Sequence, residues 1–245
     1  MLVRTYPATF LDDRAMALET HEWDQLTYAA RGFMGVRTEA MQWLVPPHRA
    51  IWVPAGVEHQ EAMYAPVSVR SLFLAPAITR HLPREPRTFE ISPLLRELIL
   101  HTCRLGSLDQ RLPAQGHLIA VLIDQLTTVS DVPLQLPWPK DPRAQRAAEL
   151  LHQQPANARS APLIARSAGA SVRTLERVFT RETGMSLGEW RRRCRLLQAM
   201  RLLARGEPVT AVALESGYAS TSAFVSAFKS LFAITPGQYA SKTRG

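Results

Sequence analysis

The chain has 245 residues, of which 46% are hydrophobic and 20% charged, and its formal net charge is +8. This composition supplies enough apolar side chains for a packed core, and the length suits one large domain or two small ones. The two cysteines, Cys103 and Cys194, stand far apart in the sequence. Their number and spacing exclude a disulfide scaffold and a cysteine-built zinc finger, and favour a reducing compartment.

The N-terminal segment, MLVRTYPATFLDDR, has no apolar stretch of the kind found in secretory signals. No later apolar run reaches the ~18–20 residues that a membrane-spanning helix needs. The sequence therefore predicts a cytoplasmic protein without a membrane partner.

Residues 1–84 show the pattern of a β-rich domain. Short apolar runs at 25–28, 50–53 and 67–74 are separated by proline and glycine. Strands at such spacing are typical of a small barrel or sandwich. The segment is therefore predicted to be a small β-barrel or sandwich.

Residues 85–131 are predicted to form a helical appendage, because the runs at 93–101 and 118–126 have helical apolar spacing. A proline-rich linker is expected at 132–141, since four prolines fall within residues 133–142. Such a stretch favours an extended connector.

Residues 142–245 read as helical throughout. Asp141 is predicted to cap the first helix, Ser160 the second, and Ser186 with Glu189 forms a capping-box pattern for a longer helix ending near Ala204. Further helices are expected at about 172–182 and 221–232. The predicted fold class is therefore α+β and multidomain.

An internal repeat divides this helical half into two similar units. Four positions recur at a separation of 48 or 49 residues: Ala165 and Gly169 as Ala213 and Gly217, and Leu175 and Phe179 as Phe224 and Phe228. Each unit reads as a short helix, a glycine turn and a second helix. The repeat predicts two helix-turn-helix motifs joined by one linker helix.

The basic residues are concentrated in the same half. Residues 1–139 hold 12 Lys and Arg against 14 Asp and Glu, whereas residues 140–245 hold 17 against 7, and 14 of the 17 are Arg. Arginine binds phosphate and guanine edges in a bidentate manner. Double-stranded DNA is therefore the predicted partner of the helical half.

The helical half resembles the DNA-binding domain of the AraC-type bacterial transcription regulators, and residues 46–59 and 92–98 resemble the cupin-type sensor of one branch of that family. The matching residues in the helical half are Ala165, Ala168, Gly169, Ser171, Arg173, Leu175, Arg177, Phe179, Glu182, Gly184, Ser186, Arg195, Leu196, Ala199, Leu202, Leu203, Val212, Ala213, Gly217, Tyr218, Ser222, Phe224, Phe228, Lys229, Thr235, Pro236 and Tyr239.

The residues expected to contact DNA lie on the second helix of each motif, because that helix enters the major groove. They are Arg173, Glu176, Arg177 and Thr180 in the first motif, and Thr221, Ser222, Val225 and Ser226 in the second. Where the family often has arginine, this chain has Ser226. The second motif is therefore expected to contribute less base specificity.

Four residues are candidates for binding an effector: His21, Trp23, Gln25 and His59. Alternation along a strand would place the first three on one face, and aromatic rings with polar tips suit a small aromatic or heterocyclic molecule. Glu19, His21 and His59 are weak candidates for binding a divalent metal. The resemblance implies that the first cupin motif supplies two histidines and a glutamate as metal ligands. Gln25 is a poor ligand there, so no cofactor is expected.

The function predicted from these features is a ligand-responsive, sequence-specific transcription regulator, and no enzyme activity. A second copy of the chain, bound through the helices at 93–126, is a candidate partner. RNA polymerase is a further partner if the protein is an activator. Two alternatives remain at this point. One is a metal-dependent cupin enzyme with a basic helical appendage, and the other is an architectural DNA-binding protein that does not discriminate between sequences.

Overall fold

The structure is a computed structural model, and it describes residues 1–47, 49–128, 134–154, 156 and 159–244. The chain divides into two compact units. Unit 1 comprises Met1–Thr38 and Trp43–Gln135, and unit 2 comprises Glu39–Gln42 and Leu136–Gly245. The predicted boundary between residues 131 and 132, and Pro133 of the predicted linker, lie outside the described residues.

Unit 1 is built on an antiparallel sheet. The strands follow the path β7-β5-β3-β6-β1-β8, while β2 pairs with β6 and β4 pairs with β3. Their bounds are Val3–Phe10 (β1), Arg14–Glu19 (β2), Asp24–Arg37 (β3), Met41–Val45 (β4), Arg49–Val53 (β5), His59–Leu74 (β6), Arg87–Glu90 (β7) and Ser107–Leu108 (β8).

Two helices, Pro93–Leu105 (α1) and Pro113–Thr127 (α2), pack against this sheet and confirm the helical spacing noted in the sequence. Ser92 caps α1 by accepting a hydrogen bond from the Leu95 N–H. The helices and the sheet share one apolar core, which includes Val3, Leu26, Tyr28, Trp52, Leu72, Leu95, Ile99, Ile119, Leu122 and Leu126.

The strands depart from the sequence prediction in length. β3 has 14 residues and β6 has 16, whereas short runs broken by turns were expected. The register between these strands shifts between Ala29 and Arg31 and again between Arg31 and Phe33. Bulges of this kind allow a strand to continue through glycine and proline. The sequence pattern predicts turns at these residues, and the prediction fails because the bulges keep them within the strands.

The chain around the predicted linker is packed. Gln135–Pro137 forms a short strand (β9), and Leu134, Leu136 and Trp138 are each at most 3% exposed. The extended conformation expected from the prolines is found in β9, and the three side chains are buried.

Unit 2 is helical after β9. Its helices are Pro142–Gln153 (α3), Ala161–Ser167 (α4), Val172–Thr183 (α5), Leu187–Ala204 (α6), Val209–Glu215 (α7), Thr221–Phe232 (α8) and Pro236–Arg244 (α9). The side chain of Asp141 caps α3 and the Ser186–Glu189 capping box begins α6, as predicted. Ser160 precedes α4, but its side chain makes no capping hydrogen bond. Within the described ranges, no helix is both long enough and apolar enough to cross a membrane.

The internal repeat is confirmed by two turns of the same geometry. Gly169 and Gly217 have φ angles of +70° and +76°, which favour glycine because a Cβ atom would be strained there. The residue after each glycine donates its N–H to the carbonyl five residues earlier, at 2.9 Å to Ala165 and 3.0 Å to Ala213. Each pair of helices, α4 with α5 and α7 with α8, is thus joined by one type of turn.

Aromatic side chains form the centre of unit 2. Trp190 of α6 is fully buried, and its ring centroid lies 5.6 Å from those of both Phe179 and Trp138. The Trp190 Nε1–H donates to the Pro137 carbonyl at 2.6 Å. This hydrogen bond holds Pro137, which precedes α3, against helix α6.

Residues 39–42 belong to unit 2 although they lie between strands of unit 1 in the sequence. The Trp138 N–H donates to the Ala40 carbonyl at 2.8 Å, and Gln42 Nε2 lies 3.0 Å from His152 Nε2. The chain therefore changes from one unit to the other three times: between residues 38 and 39, between 42 and 43, and between 135 and 136.

Candidate functional site

Helix α5 presents a basic face to solvent. Its buried face contains Leu175, Val178 and Phe179, as the sequence predicted, while Arg173, Arg177 and Thr180 are exposed. Positions separated by four and three residues share one side of a helix, so these three side chains point the same way. Among the described residues, neither of these two guanidinium groups has an intramolecular hydrogen bond or ion pair. This face is free to bind an external anion.

Two carboxylates hold α5 against its neighbours. Glu176 is half-buried, and its Oε2 accepts a hydrogen bond from the Leu187 N–H at 3.1 Å. Glu182 Oε2 accepts from the Lys140 and Asp141 N–H groups at 2.8 and 2.9 Å. Burial raises the pKa of Glu182, but these hydrogen bonds, together with the hydrogen bond and charge of Arg181, outweigh it and bring the pKa below its ordinary value. The Glu176 carboxylate thus has an intramolecular partner, unlike the two arginines.

Helix α8 presents the corresponding face in the second motif. Phe224 and Phe228 are buried, Ser222 and Ser226 are exposed, and Thr221 and Val225 are half-buried. The exposed Lys229 lies on the same face as Ser222 and Ser226. The 49-residue offset of the repeat relates these three positions to Arg173, Arg177 and Thr180 of α5. Lys229 was missed among the predicted site residues, and the offset was the signal that could have found it.

Helix α6 carries a run of four arginines, at positions 191, 192, 193 and 195, and most of them interact with other groups. Arg191 Nη1 donates to the Arg159 carbonyl at 2.9 Å, and Arg195 Nη1 donates to the Gly217 carbonyl at 3.4 Å. Burial lowers the pKa of Arg193 from its ordinary value. Arg192 is exposed, which leaves it as the member of the run best placed to reach solvent.

A buried polar cluster in unit 1 joins residues near the start of β3 to residues near the start of β6. His21 Nε2 and His59 Nε2 lie 2.7 and 3.0 Å from Gln25 Oε1, so three of the four predicted effector residues come together. His21 and Trp23 precede β3, so strand alternation does not position them as predicted. Instead, His21 Nδ1 donates to the Trp23 carbonyl, while the Trp23 ring lies under the Arg4 guanidinium at 4.5 Å.

Glu61 completes the cluster and was missed in the sequence. Gln25 Nε2 and Thr27 Oγ1 donate to its Oε1 at 3.0 and 3.2 Å, and Thr27 Oγ1 lies 3.0 Å from Ser71 Oγ. Burial, and then the charge of Glu19, raise the pKa of Glu61 to about 7. Alternation along β6 gave the available signal, because Glu61 follows His59 by two residues and shares its face.

The weak metal candidates do not assemble into a binding site. His59 Nε2 lies 3.7 Å from Glu19 Oε1, but both imidazole Nε2 atoms face the Gln25 amide oxygen rather than each other. Across the part of the chain that is described, no group of three His, Cys, Asp or Glu side chains is arranged to hold a metal ion.

Comparisons with known proteins point to gene regulators. A family model described as "Helix-turn-helix domain" matches residues 164–242. The chain is 33% identical over 228 residues to the HTH-type transcriptional regulator NimR of Escherichia coli K12, covering 93% of this chain and 83% of that protein. It is 28% identical over 198 residues to an AraC-like transcription regulator of Streptomyces antibioticus, covering 80% and 56%.

Among solved structures, the chain is similar to fatty-acid-bound ToxT of Vibrio cholerae, at 14% identity and a TM-score of 0.40. That match covers 98% of this chain and 94% of the other.

Proposed function

Because the chain belongs to the AraC-type family of helix-turn-helix transcription regulators, we propose that α5 and α8 bind adjacent major grooves of double-stranded DNA. The observation that supports this most directly is the exposed face of α5, where Arg173 and Arg177 have no partner among the described residues. The corresponding contacts of α8 come from Ser222, Ser226 and the half-buried Thr221 and Val225.

The α5 contacts are proposed to supply most of the base specificity. Arginine recognises guanine through two hydrogen bonds, whereas serine and valine discriminate less between bases. α6 joins the two motifs, and its 18 residues rise roughly 27 Å at ~1.5 Å per residue. That length is close to the ~34 Å that separates successive major grooves on one side of the duplex.

Arg177→Ala is expected to remove base preference at one position of the first half-site and to weaken binding by about 1–3 kcal/mol. The measurement is selection of bound sites from random DNA, followed by titration of the selected duplex. Arg80→Ala removes the same charge from an exposed position between β6 and β7 and serves as the control. An unchanged base preference in the Arg177 variant would contradict the assignment.

We also propose that unit 1 is a cupin-like sensor that binds a small-molecule effector. The polar cluster of His21, Gln25 and His59, with Trp23 beside it, supplies hydrogen-bonding tips and aromatic surface. In domain terms, residues 1–84 form the sensor, 85–131 the helical appendage, 132–141 the connection and 142–245 the DNA-binding domain. The sequence resemblance supports this division, and α1 and α2 share an apolar core with the sheet.

The proposed partners follow from this role. They are operator DNA in the bacterial cytoplasm, an effector, a second copy of the chain through α1 and α2, and RNA polymerase if the regulator activates. The relatives named as transcription regulators support regulation rather than catalysis.

His21→Ala is expected to abolish the response to the effector while leaving DNA affinity without effector within about threefold, or ~0.7 kcal/mol. The reason is that His21 contacts the cluster directly, whereas unit 1 provides none of the proposed base contacts. The measurement is a DNA-binding titration across a panel of small aromatic and heterocyclic compounds. His81→Ala, which removes an exposed imidazole between β6 and β7, is the matched control.

A normal response in the His21 variant would place the effector elsewhere. Loss of DNA binding in the absence of any compound would show that sensing and DNA binding are not separable.

A further inference from the structure

Glu176 contacts the neighbouring helix rather than standing free on the DNA-facing side of α5. Its Oε2 accepts the N–H of Leu187, the first residue of α6, at 3.1 Å. The first N–H groups of a helix have no partner within that helix. Leu187 is 3% exposed, so water has little access to its backbone. A carboxylate in this place also interacts favourably with the positive end of the helix dipole.

The second repeat offers an internal comparison for this contact. At the 49-residue offset, Glu176 corresponds to Val225 and Leu187 corresponds to Pro236. Proline has no N–H, and valine has no acceptor. Pro236 is the first residue of α9, a position where proline is well tolerated. The second repeat therefore lacks both the donor and the acceptor, whereas the first repeat has both.

The features around this pair match between the repeats, so the offset is secure. Gly184 and Ala233 both have a positive φ, of 70° and 61°. Ser186 with Glu189, and Thr235 with Gln238, form the same pair of capping hydrogen bonds. The ring centroids of Phe179 and Trp190 lie 5.6 Å apart, and those of Phe228 and Tyr239 lie 5.9 Å apart.

We infer that Glu176 is a positioning residue, which fixes recognition helix α5 on linker helix α6, and that it does not read a base. This inference rests on the proposed function, because it assigns a role within the same DNA-binding surface. α6 also packs against α7, α8 and α9. Holding α5 on α6 therefore sets the first recognition helix relative to the second within unit 2.

The test compares Glu176→Gln and Glu176→Val in the full chain. Glutamine keeps an acceptor for the Leu187 N–H, so its affinity for the selected DNA site is expected to stay within about threefold. Valine leaves that N–H unpaired, and a loss of about tenfold is expected at a temperature where circular dichroism shows a folded protein. Both variants are expected to select the wild-type base sequence from random DNA.

Leu187→Pro completes a double-mutant cycle by copying the pair found in the second repeat. Adding Glu176→Val to Leu187→Pro is expected to cost less than twofold, because the donor is already absent. Ser186 has a ψ angle of 158°, which a following proline permits.

Two results would overturn the inference. One is a shift of preference from cytosine toward adenine at a single position in Glu176→Gln, which is the signature of a base contact. The other is full additivity of the two substitutions in the cycle. A wild-type chain that selects no DNA sequence would instead refute the proposed function itself.

Discussion

Replacing Trp190 by alanine is expected to lower the free energy of unfolding of unit 2 by about 3–5 kcal/mol, the usual cost of truncating a buried tryptophan. The indole is fully buried between Phe179 and Trp138, and its N–H donates to the Pro137 carbonyl. The substitution removes these ring contacts and leaves that half-buried carbonyl without its donor. A domain stability of ~5–15 kcal/mol leaves little reserve for such a loss. Denaturant titration followed by far-ultraviolet circular dichroism measures the change.

Two further variants separate the contributions at this position. Trp190→Phe keeps an aromatic ring but loses the hydrogen bond, so an intermediate cost is expected. Leu214→Ala truncates a leucine that is 68% exposed in the same unit, and should change stability by less than about 0.5 kcal/mol. Equal effects of Trp190→Ala and Leu214→Ala would show that the aromatic cluster does not stabilise unit 2.

Glu61→Gln is expected to make the protein more stable than wild type above pH 7, by about 3 kcal/mol. Burial raises the pKa of Glu61 from 4.5 to about 7 in the folded chain. The folded state therefore holds this proton more tightly than the unfolded state. Its contribution is complete below about pH 4.5 and is lost as the pH rises through 7, at about 1.36 kcal/mol per pKa unit.

Glutamine keeps the oxygen that accepts from Gln25 and Thr27 but has no proton to lose, so the difference between the two proteins isolates Glu61. The measurement is the free energy of unfolding of both proteins at pH values from about 4 to about 8. Glu58→Gln, at an exposed position nearby, is the control. A stability difference that does not change with pH would show that Glu61 does not titrate in this window.

The helical half could be predicted closely from sequence because its signals are local. The stripe of Leu175, Val178 and Phe179 and the Ser186–Glu189 capping box each involve residues within one turn or two of a helix. Local hydrogen bonding and periodicity determine such features before any tertiary contact is known.

The site residues could be predicted only in part, because their partners come from elsewhere in the chain. The helical pattern predicts that Glu176 faces outward, and nothing in α5 reveals that the N–H of Leu187 lies beside it. Likewise, Glu61 accepts a hydrogen bond from Gln25, although the β3–β6 register pairs Gln25 with Phe73 and Glu61 with Val36. The contact therefore depends on how the sheet folds over itself, which is not visible in a single sequence.

The placement of residues 39–42 in unit 2 affects how freely this regulator can exchange its halves with a relative during evolution. A recombination that joined a foreign sensor at residue 136 would replace Ala40 and Gln42 with the turn of another protein. The Trp138 N–H and His152 would then face a turn that had not evolved with them. A productive chimaera needs the turn to travel with the helices, so a single crossover in the gene does not separate the two units cleanly.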